Sequence, residues 1–427
     1  MAQKRLSSDL KFQNISESIT SPLAHDYHHL YKARLSALRF PLEKKAALKW
    51  PNLEIKGLSS LNSSESECVI IGVLYKRMER KINPLDFFNG KTTQKNEPSF
   101  VSRNDKLFLE DFEGRIEIEN LDAQKWTTGF FVAVKGNQTS SSRFFVNDFL
   151  LPGLPIQRFN IRGKSLTKNG DRKHVAIISG LNFSKNLGFC KILGDFLTGN
   201  IEDKKLKNVS AKISHLVIAG GSFSDLFPKY EIDPIFDDET KNIENESTTQ
   251  VKSLDSYLSY LSTSIPIFLM PSKTDPTNLL LPQQPINPSL LPVSHSFSHF
   301  KCVPNPALFS LNGMTLLGTS GENIEDIKKY SEMSQIEAMK KSICNRLICP
   351  TAPDTLPCKA FGHRDELILE QCPNLYFCGN AKNFERDKLS ENDKEIVLMA
   401  IPSFYKTGTV VLVDSQNLES EVVTFEK

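Results

Sequence analysis

Small and polar residues follow four apolar runs in the part of the chain after Lys173, at positions where folds of the α/β class usually place their chemistry. They are Asn182 after the first run, Gly221-Ser222 after the second, Asp275 and Asn278 after the third, and Gly379-Asn380 after a later one. Carboxylate and amide oxygens are ligands that hard divalent cations prefer. The chemistry to test is therefore hydrolysis assisted by a pair of metal ions, which activate water and stabilise phosphoryl oxygens.

The order of these loops suits a calcineurin-like metallophosphoesterase, but the metal ligands of that family are missing. The first loop has no Asp-x-His pair, and the second has Gly221-Ser222 where Gly-Asp would stand. The third loop lacks Gly-Asn-His, and the last has Gly379-Asn380 in place of Gly-His-x-His. A dinuclear centre needs several converging carboxylates and imidazoles. We expect the loops to keep the turns of the scaffold without its metals, so no catalytic, metal or cofactor-binding residue is assigned.

Composition narrows the classes of partner. The chain has 427 residues, with 52 Lys and Arg against 50 Asp and Glu, eight His and eight Cys. A net charge of +2 argues against a protein that holds duplex DNA by bulk charge. The cysteines include no CxxC pair, which favours reduced intracellular thiols. The first twenty residues have no apolar core, and runs such as Val69–Leu74 are too short to span a bilayer, so neither a signal peptide nor membrane attachment is expected.

Short strand patterns separated by turn signals dominate the first half of the chain. The predicted strands are Cys68–Leu74, Lys106–Glu110, Arg115–Glu119, Trp126–Lys135 and Arg143–Leu150. Five short strands within about a hundred residues are typical of a small closed barrel, and the OB-fold is the natural candidate. An N-terminal helix is predicted to open at Asp26 and to stop at Pro41.

The second half alternates buried strands with helices. The runs His174–Leu181, His215–Gly220 and Ile265–Met270 suit strands covered on both faces. The segment 222–250 is interpreted as a solvated insertion that holds an acidic loop at Asp237-Asp238-Glu239. Asn312-Gly313 is interpreted as a hairpin turn, and Ser334 with Glu337 as a capping box.

The predicted fold class is therefore α+β/α/β multidomain. It combines an OB-fold β-barrel with an inactivated calcineurin-like phosphoesterase sandwich, in which helices flank two sheets. The predicted ranges are a flexible tail over 1–25, an N-terminal helix and connector over 26–65, the OB-fold over 66–160, and the phosphoesterase-like domain over 161–427.

Aromatic residues in the barrel raise the possibility of single-stranded nucleic acid binding. They are the pairs Phe130-Phe131 and Phe144-Phe145, and Phe149. Adjacent residues of a strand face opposite sides, so one member of each pair is expected in the core and the other on the surface. The near-neutral charge favours a barrel that binds protein.

Four longer stretches carry a resemblance to a known family. They are Met270-Pro271 through Pro285, Leu317–Gly321 with Asn323, Pro350–Leu356, and Cys372-Pro373 with Tyr376–Asn380. With these stretches the chain, from about Asp26 to Val413, resembles the small (second, B-type) regulatory subunits of eukaryotic DNA polymerase delta.

The resemblance implies a scaffold without chemistry of its own and without a cofactor. Members of the family bridge the polymerase catalytic subunit, through its C-terminal cysteine-rich domain, to the third subunit of the complex. The iron–sulfur or zinc centre belongs to that partner. The expected compartment is the nucleus, the expected processes are DNA replication and repair synthesis, and contact with DNA is expected to be indirect or weak.

A proline-rich run from Pro271 to Pro292 has its backbone angles restricted and would lose little entropy on binding. Its residues Pro282, Gln283, Gln284 and Pro285 are predicted to face a partner; alternatively, the run only covers a sheet edge. Two other functions stay open, an active metallophosphoesterase or nuclease with an unusual ligand set, and an independent single-stranded-DNA-binding OB protein.

Overall fold

The computed structural model describes residues 8–13, 27–61, 66–81, 99–140, 143–158, 173–223, 238–360 and 364–426. The chain forms two compact units. The barrel unit comprises Ser18–Ile156 and Asn323–Cys372, and the sandwich unit comprises Met1–Glu17, Gln157–Glu322 and Pro373–Lys427. Within the described residues no helix is both long and apolar enough to cross a bilayer.

The strands and helices are numbered in chain order. The strands are β1 (Leu10–Gln13), β2 (Ile55–Lys56), β3 (Cys68–Arg77), β4 (Lys106–Glu110), β5 (Arg115–Glu119), β6 (Phe131–Ser140), β7 (Arg143–Leu150), β8 (His174–Ile178), β9 (Ile213–Ala219), β10 (Ile267–Met270), β11 (Phe300–Cys302), β12 (Ala307–Leu311), β13 (Met314–Thr319), β14 (Leu375–Ala381), β15 (Glu385–Glu391), β16 (Lys394–Pro402), β17 (Thr409–Asp414) and β18 (Ser420–Thr424). The α-helices are α1 (His28–Lys49), α2 (Leu187–Thr198), α3 (Lys204–Lys212), α4 (Asp238–Ser262), α5 (Pro292–His295), α6 (Glu322–Lys329), α7 (Gln335–Cys344) and α8 (Phe404–Thr407). Short 3-10 turns cover Leu58–Ser60, Ala123–Lys125, Phe183–Lys185 and Pro288–Leu290.

The barrel unit contains a closed five-stranded barrel, as the sequence predicted. Its strand order is β3-β4-β5-β7-β6, and β6 pairs back with β3 to close it. The short strand β2 extends one edge beside β3. Closure leaves few unpaired backbone groups at a sheet edge, which is how small β-proteins avoid edge-to-edge association.

Helix α1 packs on the barrel and runs through the proline that was predicted to end it. Pro41 lies inside the helix, which continues to Lys49. An internal proline costs about 3 kcal/mol because a backbone hydrogen bond is lost. Beyond Pro41, Leu42 and Ala46 are buried against barrel side chains such as Val69, and this burial offsets the cost. The predicted stop at Pro41 is therefore wrong.

The segment 323–372 packs with the barrel, although it lies inside the range 161–427 predicted for the second domain. Asn345, after α7, shows why. Its side-chain Oδ1 accepts from the Phe131 backbone N–H at 3.1 Å, and its Nδ2 donates to the Phe131 carbonyl at 2.7 Å. A buried amide thus completes the hydrogen bonding of β6 from a position 214 residues later in the chain. Hydrophobic periodicity gives no information about such a pairing.

The sandwich unit has two sheets, as predicted, and each of them has six strands. One has the order β1-β12-β13-β14-β16-β15 and the other β11-β10-β9-β8-β17-β18. A shared apolar core lies between them and includes Ile177 and Val217 from the second sheet and Phe309 and Phe377 from the first. Helices α2 and α4 cover the other face of the second sheet with leucines and phenylalanines such as Phe196. Strands β8, β9 and β10 are parallel and buried on both faces, which explains their continuous apolar sequences.

Residues near the N-terminus correct the prediction of a flexible tail. Strand β1 pairs antiparallel with β12 and forms an edge of the first sheet, with Leu10 opposite Leu311 and Phe12 opposite Phe309. Leu10 is buried. Ser8 Oγ also lies 3.0 Å from Nδ1 of His215. The remainder of the predicted tail, 1–7 and 14–25, lies outside the described residues.

Candidate functional site

The loops predicted from the sequence do meet in the sandwich unit, at the carboxyl ends of the parallel strands. Backbone hydrogen bonds connect the loop after β8 to the loop after β9. The N–H groups of Gly180, Asn182 and Phe183 donate to the carbonyls of Gly220, Gly221 and Ser222 at 2.8, 2.9 and 3.1 Å. The loops after β8 and β9, which the sequence singled out, therefore lie next to each other in the structure.

The buried carboxylate of Asp275 holds these loops together by hydrogen bonds. Its carboxylate accepts five hydrogen bonds, from the backbone N–H groups of Gly221, Ser222, Phe223 and Ser272 and from the Ser272 hydroxyl, at 2.8–3.0 Å. Burial raises the pKa of Asp275 to about 6, and these donors act in the opposite direction. Asp275 thus fixes the loop after β9 onto the loop after β10, and its oxygens face protein donors.

Asn380 occupies the space between the other loops. Its Nδ2 donates to the Ser320 carbonyl at 2.8 Å, and its backbone N–H donates to Ser179 Oγ at 2.8 Å. The side-chain Oδ1 would stand 2.6 Å from a Cβ atom placed on Gly180 and 3.1 Å from one on Gly221. Both glycines have positive φ, +60° and +71°. Glycine at these two positions is therefore required by the close approach as well as by the backbone angles.

Gly379 approaches its neighbours just as closely, since a Cβ there would stand 2.5 Å from the Ala219 carbonyl oxygen. Asn182 is in the left-handed region with φ +48°. Its Oδ1 and the Ser222 hydroxyl are buried without a hydrogen-bond partner. Of the seven predicted loop residues only Asp275 is ionisable. Over the described ranges, no group of three or more His, Cys, Asp or Glu side chains is placed to hold a metal ion.

The structure separates Asn278 from this cluster and places it in the proline-rich run. Its Oδ1 accepts from the Gln284 N–H at 2.7 Å, and its Nδ2 donates to the Leu280 carbonyl at 2.6 Å. The Asn278 carbonyl also accepts from Gln283 Nε2 at 3.1 Å. Asn278 therefore organises the run itself.

Within the predicted partner-facing set, Gln283 points inwards. It is 2% exposed, exchanges backbone hydrogen bonds with Asn305 at 2.7 and 3.1 Å, and accepts from Asn305 Nδ2 at 2.7 Å. Gln284 is exposed, while Pro282 and Pro285 are half-buried. Gln283 has to be removed from the partner-facing residues because its amide is a buried cross-link. For Pro282, Gln284 and Pro285 the role stays a prediction.

Replacing Gln283 by alanine should lower the free energy of unfolding of the sandwich unit by about 1–3 kcal/mol, because buried hydrogen bonds to Asn278 and Asn305 are lost. Denaturant unfolding followed by circular dichroism measures the change. The matched control is Gln284→Ala, an exposed neighbour for which a change within about 0.5 kcal/mol is expected. Equal effects of the two substitutions would contradict the assignment of Gln283 as a cross-link.

A polar network around Asn305 was missed by sequence reasoning. Asn305 Nδ2 also lies 2.5 Å from Ser320 Oγ and 3.2 Å from Glu322 Oε2, and the Ser320 hydroxyl donates to the same Glu322 oxygen. The Lys273 backbone N–H donates to Glu322 Oε1 at 2.7 Å. The network ties the run after β10 to the start of α6. The only sequence signal was the Ser320-Gly321 turn within one of the four family stretches.

Comparison with known proteins agrees with the barrel. A family model for the OB-fold domain of DNA polymerase delta subunits matches residues 26–149, and one for the B subunits of DNA polymerases alpha and epsilon matches 175–386. The first range contains the five-stranded barrel, which confirms the prediction of an OB-fold.

Curated relatives match almost the whole chain. It is 34% identical to the DNA polymerase delta small subunit of Arabidopsis thaliana, covering 93% of this chain and 91% of that protein. It is 29% identical to DNA polymerase delta subunit 2 of Drosophila melanogaster, covering 98% of each chain. The small subunit of Saccharomyces cerevisiae is 28% identical, covering 94% of this chain and 89% of that protein. A solved archaeal phosphodiesterase aligns with 59% of this chain and 99% of its own, at 8% identity and a TM-score of 0.30, too low a similarity to support an argument.

Proposed function

Because this chain belongs to the family of DNA polymerase delta small subunits, we propose that it bridges the polymerase catalytic subunit, through that subunit's C-terminal cysteine-rich domain, to the third subunit of the complex. The observation that carries the proposal is the match along nearly the full length of both chains, which includes the barrel and the sandwich together. The proposed site of action is the nucleus, during DNA replication and repair synthesis.

The sandwich unit is proposed to be an inactivated phosphoesterase-like domain. Asp275 is the one carboxylate among the predicted loop residues, and both of its oxygens accept hydrogen bonds from protein donors, five in all. These oxygens are therefore not available to bind a pair of metal ions, which supports the proposal. The side-chain amide of Asn380 packs against Gly180 and Gly221 and so fills the space between the loops, which gives further support. The loops then act as rigid supports, in agreement with the role of strand-end loops in presenting contacts.

Co-expression of the full chain with the C-terminal region of a polymerase delta catalytic subunit tests the bridging role. We expect a stoichiometric complex that survives size-exclusion chromatography and that recruits the third subunit when it is added. Failure of the folded chain to form the first complex would reject the bridging role.

Activity measurements test the alternative of an active phosphoesterase or nuclease. The purified chain should hold no stoichiometric metal and should not turn over phosphodiesters with Mn²⁺. Metal at stoichiometric amounts, together with turnover that Asp275→Ala abolishes, would overturn the proposal.

Single-stranded DNA binding by the barrel is a second candidate, favoured by the exposed rings of Phe145 and Phe149. The partly exposed cations around this face are paired with carboxylates. Arg143 lies 3.1 Å from Glu119, Lys135 3.1 Å from Glu67, and Lys49 2.6 Å from Asp148. Phosphates would therefore have to displace protein partners, which supports weak or indirect contact with DNA. Tight, salt-dependent binding of a fluorescent oligonucleotide to the purified chain would favour this candidate instead.

A further inference from the structure

Helix α3 of the sandwich unit carries four exposed lysines that the proposed function leaves without a role. They form what we call the α3 lysine surface and are Lys204, Lys205, Lys207 and Lys212. At 3.6 residues per turn, the four side chains leave the same half of the helix. Leu206 and Val209 leave the opposite half and pack against the core that covers the second sheet. The helix contains no Asp or Glu, so the only charges on its solvent side are positive.

The helix that presents these lysines is fixed to the sandwich unit. At its start, the Asp203 carboxylate accepts from the Lys205 backbone N–H at 2.7 Å and caps the helix. Near its end, the buried Ser210 hydroxyl donates to the Phe196 carbonyl of α2 at 2.5 Å. Strand β9 follows directly at Ile213. Only the lysine side chains would therefore have to be ordered when a ligand binds, which limits the entropic cost of binding.

The four lysines are free of carboxylate partners within the part of the chain that the structure describes. Asp203, the nearest carboxylate in the sequence, is occupied by capping the helix. Exposed lysines elsewhere are paired, for example Lys106 Nζ at 2.8 Å from Glu117 and Lys388 Nζ at 3.7 Å from Glu395. An anion can therefore reach the α3 lysine surface without displacing a protein partner.

Two features of this arrangement oppose the stability of the helix. Lys204 and Lys205 occupy its first two positions, where the positive end of the helix dipole repels cations. Lys204 and Lys207 are three residues apart, a spacing at which like charges on a helix repel. Neutral or acidic residues would stabilise the helix better at these positions. A bound polyanion would offset both effects.

The density of the charges suits a phosphodiester chain. From Lys204 to Lys212 the helix rises about 12 Å, and a DNA duplex of that length carries about seven phosphates, at one charge per about 1.7 Å. Lysine binds phosphates as a point charge on a flexible stem, without reading the bases. The net charge of +2 argues against binding of DNA by the whole surface of the chain, whereas four unpaired lysines on one helix form a local site for it.

We propose that the α3 lysine surface contacts the phosphate backbone of duplex DNA, independently of its sequence, while the polymerase complex occupies its template. The inference rests on the proposed function, since membership of the complex brings the chain to DNA. A few phosphate contacts give weak affinity by themselves and add to the DNA affinity of the whole complex. This contact is distinct from the single-stranded DNA candidate of the barrel, which depends on exposed rings in the other unit.

The combined variant Lys204→Gln, Lys205→Gln and Lys207→Gln tests the proposal on the purified full chain. We expect the wild type to bind a labelled duplex weakly at low salt, measured by fluorescence anisotropy, and the variant to bind at least about tenfold more weakly. The magnitude of the slope of log Kd against log salt concentration should fall by about 2–3, since each lysine–phosphate contact contributes about 0.9. The same change in slope is expected for the assembled complex on a primer–template.

The matched control neutralises three exposed lysines that have carboxylate partners. It combines Lys11→Gln, Lys106→Gln and Lys388→Gln, which changes the net charge by the same amount. A change in affinity under about twofold is expected, because neighbouring carboxylates already compensate these charges. All six lysines are exposed, so both variants should keep the circular dichroism spectrum and melting temperature of the wild type.

The outcomes separate this inference from the bridging role. If the wild-type chain does not assemble with the catalytic C-terminal region, the bridging role fails, and the duplex measurement on the purified chain still decides the inference. If the complex assembles but the α3 variant matches the control in affinity and salt slope, the inference is overturned while the bridging role stands. Loss of partner binding in the α3 variant, with duplex binding unchanged, would assign the surface to a protein partner and overturn the inference as well.

Acetylation of exposed lysines, followed by mass spectrometry, locates the contact in the assembled complex. Duplex DNA should slow the acetylation of Lys204, Lys205 and Lys207 and leave that of Lys388 unchanged. Equal acetylation rates with and without DNA at all four lysines would contradict the proposal.

Discussion

Asp275→Asn should lower the free energy of unfolding of the sandwich unit by about 2–6 kcal/mol, one of the largest effects expected for a single atom exchange in this protein. Asp275 Oδ1 accepts two backbone N–H donors, and Oδ2 accepts two further donors and the Ser272 hydroxyl. An asparagine replaces one acceptor by an NH₂ group that faces N–H donors. At least two buried backbone donors then lose their acceptor, at about 1–3 kcal/mol each.

Denaturant unfolding followed by circular dichroism gives the size of the loss, and hydrogen–deuterium exchange at residues 219–223 and 270–275 gives its location. Asp203→Asn is the matched control. Asp203 caps helix α3 from an exposed position, accepting from the Lys205 N–H at 2.7 Å, and asparagine caps helices nearly as well as aspartate. If Asp275→Asn destabilised no more than Asp203→Asn, the role of Asp275 in joining the loops would be refuted.

The second large effect concerns the barrel unit, where Arg34→Met should cost about 3–5 kcal/mol of stability. Arg34 Nε lies 2.5 Å from Asp365 Oδ2, and the side chains are 1% and 0% exposed. Removing the guanidinium leaves the Asp365 carboxylate buried without its counter-charge, and it also removes the donor to Ala352. The pair joins α1 to a segment more than three hundred residues later.

Tryptophan fluorescence is well suited to this measurement, because both tryptophans, Trp50 and Trp126, belong to the barrel unit. Arg39→Met is the control on the same helix. Arg39 pairs with Glu43 at 2.8 Å on a half-exposed face, so its loss should cost less than about 1 kcal/mol. Adding Asp365→Asn to Arg34→Met should restore part of the stability, since no uncompensated charge then remains. Additive losses would show that the two side chains are not coupled.

Short sequence patterns correctly predicted the elements that are determined by residues close together in the sequence. The hairpin β12–β13 turns at Asn312-Gly313, both with positive φ, as the dipeptide predicts. The capping box of Ser334 and Glu337 forms at the start of α7. In the barrel, β4 and β5 have the predicted bounds. Each of these patterns needs only a few consecutive residues to be specified.

The errors arose where distant segments decide the outcome. The acidic stretch predicted as a loop contributes residues to α4, which begins at Asp238. The rule that one of two adjacent aromatics is exposed holds for Phe144 and Phe145 but fails for Phe130 and Phe131, which are both buried. Residues 131 and 133 of β6 pack under α1, whose position no local pattern specifies. The meeting of the loops could be predicted, because it follows from the order of the strands. The burial of Gln283 could not, because it depends on hydrogen bonds to Asn305, 22 residues later.

The antiparallel pairing of β1 with β12 has a consequence for biosynthesis. Leu10 is opposite Leu311, so the partner strand is made 301 residues later. At a translation rate of about 5–20 residues per second, β1 leaves the ribosome roughly 15–60 s before it can pair. During that interval a four-residue strand that alternates two apolar residues with a lysine and a glutamine is a weak template for misassembly. The edge strand β1 of the first sheet can therefore pair only after β12 has been translated.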